Sequence, residues 1–305
     1  MKNLFAPFVA ATLLGVAGPG SLWAKVNVVA TLPDYASIAE TIGGDRVTVT
    51  SIARGTEDPH FVDARPSFVR VLNQADVLIE GGLELEVGWL PPLVGAARNS
   101  KILADAPGHL NLSTGIPVLS LPTGPVDRSM GDVHPLGDPH FSLDPANGRI
   151  MAAAIARTLS AVDGANASYY QANLAKFNAR LEVKLAEWTE ALKPFKGTKV
   201  LTYHKSFNYL LERFGFELVG TIEPKPGIEP SPTHISALIP RAKDQGVKLV
   251  IIEPNRSRKT PAYVAESIHA RLLVLPASVG GQEKVKDYVG LFDYDVQQIL
   301  AALKP

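Results

Sequence analysis

The chain has 305 residues, 46% of them hydrophobic and 20% charged, with 30 basic residues balanced by 30 acidic ones. That length can bury one large or two medium cores, and a net charge of zero leaves no basic excess to bind nucleic acid or an anionic membrane surface. The absence of cysteine excludes disulfides, thiolate metal sites and a lipid-modified N-terminal cysteine.

The chain opens as an export signal. Lys2 supplies a positive start, Leu4 to Val16 an apolar run, and Ser21-Leu22-Trp23-Ala24 a cleavage point before Lys25. The apolar run is shorter than the roughly 20 residues a bilayer span needs. An exported chain without a lipid anchor is expected in a periplasm. Val26 to Thr31 then reads as a strand, and Asp34 as the cap of a helix that Gly43-Gly44 ends. Val47 to Ala53 is a second strand, Arg65 to Gln74 a helix with Pro66 in its first turn, and Val77 to Glu80 a third strand closed by Gly81-Gly82. Such alternation predicts a doubly wound, mostly parallel sheet. Ser113 to Pro139, rich in Gly, Pro and Asp, reads as a surface loop, and Asn147 to Ser160 as a helix.

From Ala167 to Leu192 one polar–apolar pattern continues unbroken, a helix of about 40 Å at the usual rise per residue. Alternation then resumes. Strands are expected at Lys199 to Tyr203, Glu217 to Ile222, Lys248 to Ile252 and Arg271 to Leu275, with Ser231 and Pro232 starting one helix and a last helix over about Glu283 to Leu303. The expected fold is α/β, two doubly wound lobes joined by one long rigid helix. The boundaries are 1–24 for the signal, 25–162 for the N-terminal lobe, 163–195 for the linking helix and 196–305 for the C-terminal lobe.

The chemistry concentrates in a repeated tetrapeptide. Asp58-Pro59-His60-Phe61 recurs as Asp138-Pro139-His140-Phe141, each proline stiffening the backbone before its histidine. His204 follows the apolar strand Val200-Leu201-Thr202, and Glu253 follows Leu249 to Ile252. In open α/β sheets, ligands bind beyond the carboxyl ends of the strands, so a cleft between two lobes would collect His60, His140, His204 and Glu253. Imidazole suits Zn2+, Cu2+, Ni2+ and Fe2+ better than Mg2+ or Ca2+. Glu253 could equally orient a histidine or cap a helix. His134, in the Gly131-Asp132-Val133-His134-Pro135 stretch, is either a metal-capturing loop residue or solvated. His109 reads as structural or solvated, as do His234 and His269, both expected on helices. No Gly-rich phosphate loop, Gly-x-Ser-x-Gly elbow or His-Glu-x-x-His helix is present.

The mature chain resembles the solute-binding proteins of zinc and manganese ABC importers, the cluster A-I type with a rigid interdomain helix. The matching stretches are Asp58-Pro59-His60 through Pro66-Ser67, Ala75-Asp76 with Gly81-Gly82-Leu83-Glu84, Gly137 through Pro145, Tyr203-His204-Lys205-Ser206-Phe207, Glu229-Pro230-Ser231-Pro232 and Ile252-Glu253-Pro254. The resemblance implies a divalent metal in the cleft, Zn2+ before Mn2+ or Fe2+, and the membrane permease of an ABC importer as partner. It also implies a monomeric carrier, not an enzyme. Ala277 stands where that family commonly supplies a fourth ligand, Asp, and the long His-rich loop of many zinc members shrinks here to Asp127 to His134. Two other functions fit three histidines: a zinc hydrolase with an open fourth position, and a metal-binding surface adhesin.

Overall fold

The computed structural model describes residues 24–126, 131 and 134–304, so the expected export signal and most of the Asp127 to His134 stretch lie outside the described residues. Two four-stranded, all-parallel sheets carry the chain. The first holds β1 (Val26–Ala30), β2 (Val47–Ser51), β3 (Val77–Glu80) and β4 (His109–Asn111) in the order β2-β1-β3-β4. The second holds β5 (Lys199–Thr202), β6 (Glu217–Thr221), β7 (Leu249–Ile252) and β8 (Arg271–Val274) in the order β6-β5-β7-β8. Strand order reverses between β1 and β3 and between β5 and β7. Each lobe thus has a crevice at the carboxyl ends of its central strands, the place where open parallel sheets take ligands.

Helices cover the sheets: α1 (Pro33–Gly43), α2 (Pro66–Asn73), α3 (Leu90–Ala97) and α4 (Asn147–Val162) in the first lobe. After α5 (Ala167–Leu192) come α6 (Asn208–Phe214), α7 (Pro232–Asp244), α8 (Lys259–Ser267) and α9 (Tyr288–Leu303). The long helix has the expected bounds. Its buried residues Tyr170, Phe177, Leu181, Trp188 and Leu192 recur at spacings of seven and four, which keeps them on one stripe. Asn173 on that helix bonds the Ile42 carbonyl of the first lobe at 3.0 Å, and Trp188 Nε1 donates to Asp293 of α9 at 2.9 Å. One rod is therefore fastened at both ends.

Several expectations are corrected. Asp34 does not cap α1: the cap is Leu32, with no side-chain bond. Asp34 lies in the first turn, fully buried, and accepts hydrogen bonds from Val279 N at 2.7 Å, Ser278 Oγ at 2.9 Å and Ser142 Oγ at 3.0 Å. It joins the lobes instead of ending a helix. The last helix begins at Tyr288, because Asp287 accepts from Gly290 N at 2.7 Å and caps it there. The Ser113 to Pro139 stretch is not surface loop to its end, since Asp138 N pairs with the Leu119 carbonyl at 2.9 Å and Asp138 is buried. Those two bonded groups close the loop and turn its last residues inward.

The lobes are clasped by polar pairs set among apolar side chains. Tyr288 N bonds Ser37 Oγ at 3.0 Å and its hydroxyl donates to the Ser142 carbonyl at 2.7 Å, while Arg213 of α6 forms a two-pronged pair with Asp144 at 2.6 and 2.7 Å. Bidentate arginine–carboxylate pairs fix orientation as well as distance. The larger apolar cluster runs without a break from Val28 and Ile38 through Phe141 to Phe207, Tyr288 and Phe292, and a smaller one covers the outer face of the second sheet around Leu201, Ile222 and Leu238. With core and clasp shared, a wide hinge motion would expose apolar surface and strip Asp34 of its donors. Among the described residues no helix is long and apolar enough to cross a membrane.

Candidate metal centre

The repeated tetrapeptide is a repeated local device. Asp58 Oδ1 accepts from the His60 backbone N at 3.1 Å and from His60 Nδ1 at 2.8 Å; Asp138 Oδ1 accepts from His140 N at 3.0 Å and His140 Nδ1 at 2.8 Å. An aspartate bonding the chain two residues on forms an Asx turn, and here it also seizes the imidazole it has turned. The intervening proline has no N–H to compete and a fixed φ. His204 reaches the same condition by another route. It follows β5 in extended backbone, and its Nδ1 bonds the Glu223 carboxylate just beyond β6.

With Nδ1 of His60 and His140 engaged by ionised aspartates, those two rings are held as the tautomer whose Nε2 lone pair is free, and the bond of His204 Nδ1 to the Glu223 carboxyl leaves its Nε2 facing the cleft. Those free atoms converge. The candidate ligand nitrogens of His60, His140 and His204 all lie within 4.8 Å of one another, and the ring centroids are 5.1 to 5.3 Å apart. The Nε2 atoms of His140 and His204 are buried and have no hydrogen-bond partner. A tetrahedral zinc ion with bonds of about 2.0–2.1 Å has ligand–ligand edges near 3.4 Å, so a small contraction around a dication completes the set. Buried, unpartnered acceptors are costly; a metal ion relieves that cost.

The surroundings tune the rings. Burial pushes His204 well below the usual imidazole range, and the neighbouring rings of His140 and His60 push it further. Burial raises the carboxyl of Glu223 to about 8. At neutral pH His204 is therefore uncharged and able to bind metal. Burial works against the charge on Asp58 and Asp138 too, but the bonds and charge of their histidines hold both carboxyls below the usual range, and Arg256 adds to this at Asp58. Arg256 Nη2, from the second lobe, donates to Asp58 Oδ2 at 2.9 Å, and its guanidinium lies over the Tyr203 ring at 5.2 Å. The aspartate that turns His60 is thus itself held across the cleft.

Leu32, Leu85, Leu143, Ala277 and Glu253 line the same interlobe cavity as the three histidines. Glu253 is not within the close-set group; its Oε1 accepts from Ser206 Oγ at 2.6 Å, while Oε2 is buried without a partner, 4.0 Å from Arg256 Nε. The remaining histidines stand elsewhere. His109 on β4 meets Glu80 at 3.2 Å, and His234 on α7 bonds the Thr221 carbonyl at 3.1 Å. His269 lies beyond the end of α8 with a φ of 56°, not on a helix as expected. His134 does approach the group, its Nε2 3.1 Å from that of His60. Sequence reasoning named the three histidines but missed the carboxylates behind them. The signal was present for two: an aspartate two residues before each histidine. Glu223 and Arg256, 19 and 196 residues from the histidines they serve, left none.

The chain is similar over most of its length to known metal-binding proteins. Residues 28–302 match the family described as the periplasmic component A of the zinc-uptake complex, ZnuA. The high-affinity zinc uptake system protein ZnuA of Brucella abortus is 26% identical over 332 aligned positions, covering 100% of this chain and 98% of that one. The manganese ABC transporter substrate-binding lipoprotein PsaA of Streptococcus pneumoniae is 25% identical, covering 92% of this chain and 89% of its own. Among solved structures, a zinc-bound deletion mutant of ZnuA superposes with a TM-score of 0.76 at 27% identity, over 92% of this chain and 100% of the other. A manganese-bound periplasmic metal-binding protein from Candidatus Liberibacter asiaticus shares the fold, with a TM-score of 0.75 at 21% identity over 92% of this chain and 100% of that one.

Proposed function

The chain belongs to the ZnuA family of periplasmic zinc-uptake components, and from that membership we propose that it captures Zn2+ in the interlobe cleft through His60, His140 and His204 and delivers it to the permease of an ABC importer. The observation that carries this reading is the convergence of three buried Nε2 atoms, each on a ring whose Nδ1 is tied to a carboxylate. Carboxylate–histidine–metal arrangements raise ligand basicity and fix ring orientation. The carrier works in the periplasm as a monomer, and binding completes the site by small loop and side-chain shifts within clasped lobes, not by wide closure. No step of chemistry is needed; capture and release suffice.

Metal choice follows from the donors. Three neutral imidazoles leave the full dipositive charge on the ion, which zinc tolerates and oxygen-preferring Mn2+ does not. Ala277 faces the cavity without a carboxylate, and Glu253, with its Oε2 buried and unpartnered, lines the same cavity outside the close-set nitrogens. Ala277→Asp is expected to raise Mn2+ affinity relative to Zn2+ by about tenfold, roughly 1.4 kcal/mol, read by competitive titration of the two metals. An unchanged ratio would mean that this position does not face the ion.

Growth in medium stripped of zinc by a chelator tests the function. Cells lacking the gene are expected to stop growing, to resume when zinc is restored, and to be rescued by the wild-type gene but not by His140→Ala. Normal growth of the deletion strain, with no second zinc carrier in that strain, would remove the proposed role. Activity of the purified protein on generic ester and phosphate substrates would favour the hydrolase instead.

A further inference from the structure

We propose that His134 is a fourth metal ligand, so that the ion is held by four imidazoles and not by three with a water or carboxylate; this rests on the three-histidine reading above. His134 and His60 face each other through Nε2 atoms 3.1 Å apart, and their ring centroids are 5.2 Å apart, the same spacing that separates the other three rings. With Asp58 occupying His60 Nδ1, the His60 Nε2 lone pair is free and points at the second nitrogen. A separation of 3.1 Å is close to the edge, about 3.4 Å, of a tetrahedron with zinc–nitrogen bonds of 2.0–2.1 Å.

The Leu83 backbone carbonyl lies near enough to act on the His134 imidazole; since Nε2 faces His60, Nδ1 is the nitrogen left to meet it. Ligand histidines are commonly fixed this way, by a bond from the second nitrogen to a carboxylate or a backbone carbonyl. The carbonyl is presented by unusual backbone: Gly82, Leu83 and Glu84 have successive φ values of 79°, 53° and 65°. Two consecutive non-glycine residues in the left-handed region cost of order 1–2 kcal/mol each, and such strain persists where a site depends on it.

Room for the movement is present. His134 is not within 4.8 Å of all three other ligand nitrogens, so it must swing inward. It shares a cavity with His140 and His204, lined also by Asp138, Pro139 and Pro226, into which the ring can turn. The position is left open by the other candidates, because Ala277 has no donor and Glu253 has one oxygen committed to Ser206. Four neutral nitrogens favour Zn2+, Co2+, Ni2+ and Cu2+ over Mn2+ more strongly than three.

X-ray absorption of the zinc-loaded protein counts the imidazoles, and the visible spectrum of the Co2+-loaded protein follows the same change. The wild type is expected to show four, and His134→Ala three with an oxygen donor, an altered Co2+ spectrum and about tenfold weaker zinc binding. The metal-free melting temperature should stay unchanged, because His134 is part of no helix or strand. Three imidazoles in the wild type, or equal affinity in wild type and His134→Ala, overturns the proposal. His204→Ala separates the two readings. If it loses zinc while His134→Ala does not, only the fourth ligand falls; if neither loses zinc, the three-histidine site falls with it.

Discussion

Replacing His204 with alanine is expected to lower Zn2+ affinity at least about a hundredfold, or roughly 2.7 kcal/mol. Loss of an outer partner of a ligand already costs 10–100-fold in metal sites, and a ligand should cost no less. His204 is only 4% exposed, so water reaches the vacated position poorly and cannot restore a donor of equal strength. The alanine variant also strands Glu223, a buried carboxyl that loses its imidazole partner, at about 1–3 kcal/mol of stability. His204→Gln keeps a polar partner near Glu223, so loss of zinc by both variants separates metal binding from folding. His109→Ala and His234→Ala serve as controls and should bind normally, since both rings are engaged away from the cleft. Competitive titration against a chromophoric chelator reads all four variants. Wild-type affinity in both His204 variants would show that this strand-end histidine is not a ligand.

The second large effect is expected from a residue that never touches the ion. Asp58→Asn should weaken zinc binding toward the upper end of the 10–100-fold range for such partners, because the amide has no satisfactory orientation. With its NH2 toward Arg256, donor meets donor, and a guanidinium cannot turn to accept. Turned the other way, the NH2 meets the His60 backbone N–H and His60 Nδ1. That orientation favours a bare Nδ1 and places the ring proton on Nε2, where the metal must bind. Asp138→Asn should cost less. Asp138 Oδ2 is met by Asn208 Nδ2 at 2.8 Å, and Asn208 Oδ1 has no partner, so Asn208 can flip and accept. Calorimetry on the two variants should therefore rank Asp58→Asn well below Asp138→Asn in affinity. Equal losses would mean that charge alone matters, and an unaffected Asp58→Asn would mean that the aspartate does not hold the ring.

Much of the architecture was legible because its determinants are local. Apolar runs bounded by Gly and Pro gave the main strands to within about two residues, and the unbroken pattern from Ala167 to Leu192 gave the joining helix to the residue. The short α3, opened by Leu90-Pro91-Pro92, and the three-residue β4 carried too little pattern to stand out. Asp34 shows the other kind of failure: an acid just before an apolar helix looks like a cap, and only partners 108, 244 and 245 residues away make it a clasp between lobes. The site divides the same way. A repeated Asp-Pro-His and a histidine at a strand end mark three candidate ligands in the sequence itself, whereas Glu223, Arg256 and the His134 approach exist only once the chain has folded.

Zinc capture by the three anchored histidines is proposed to occur in the living cell. It is tested most directly by the metal content of protein recovered from the periplasm without added metal, measured by elemental analysis beside His204→Ala. Close to one zinc per wild-type chain and almost none in the variant is the expected result. Wild-type protein that emerges loaded with manganese or iron, or a variant that keeps its zinc, would contradict it.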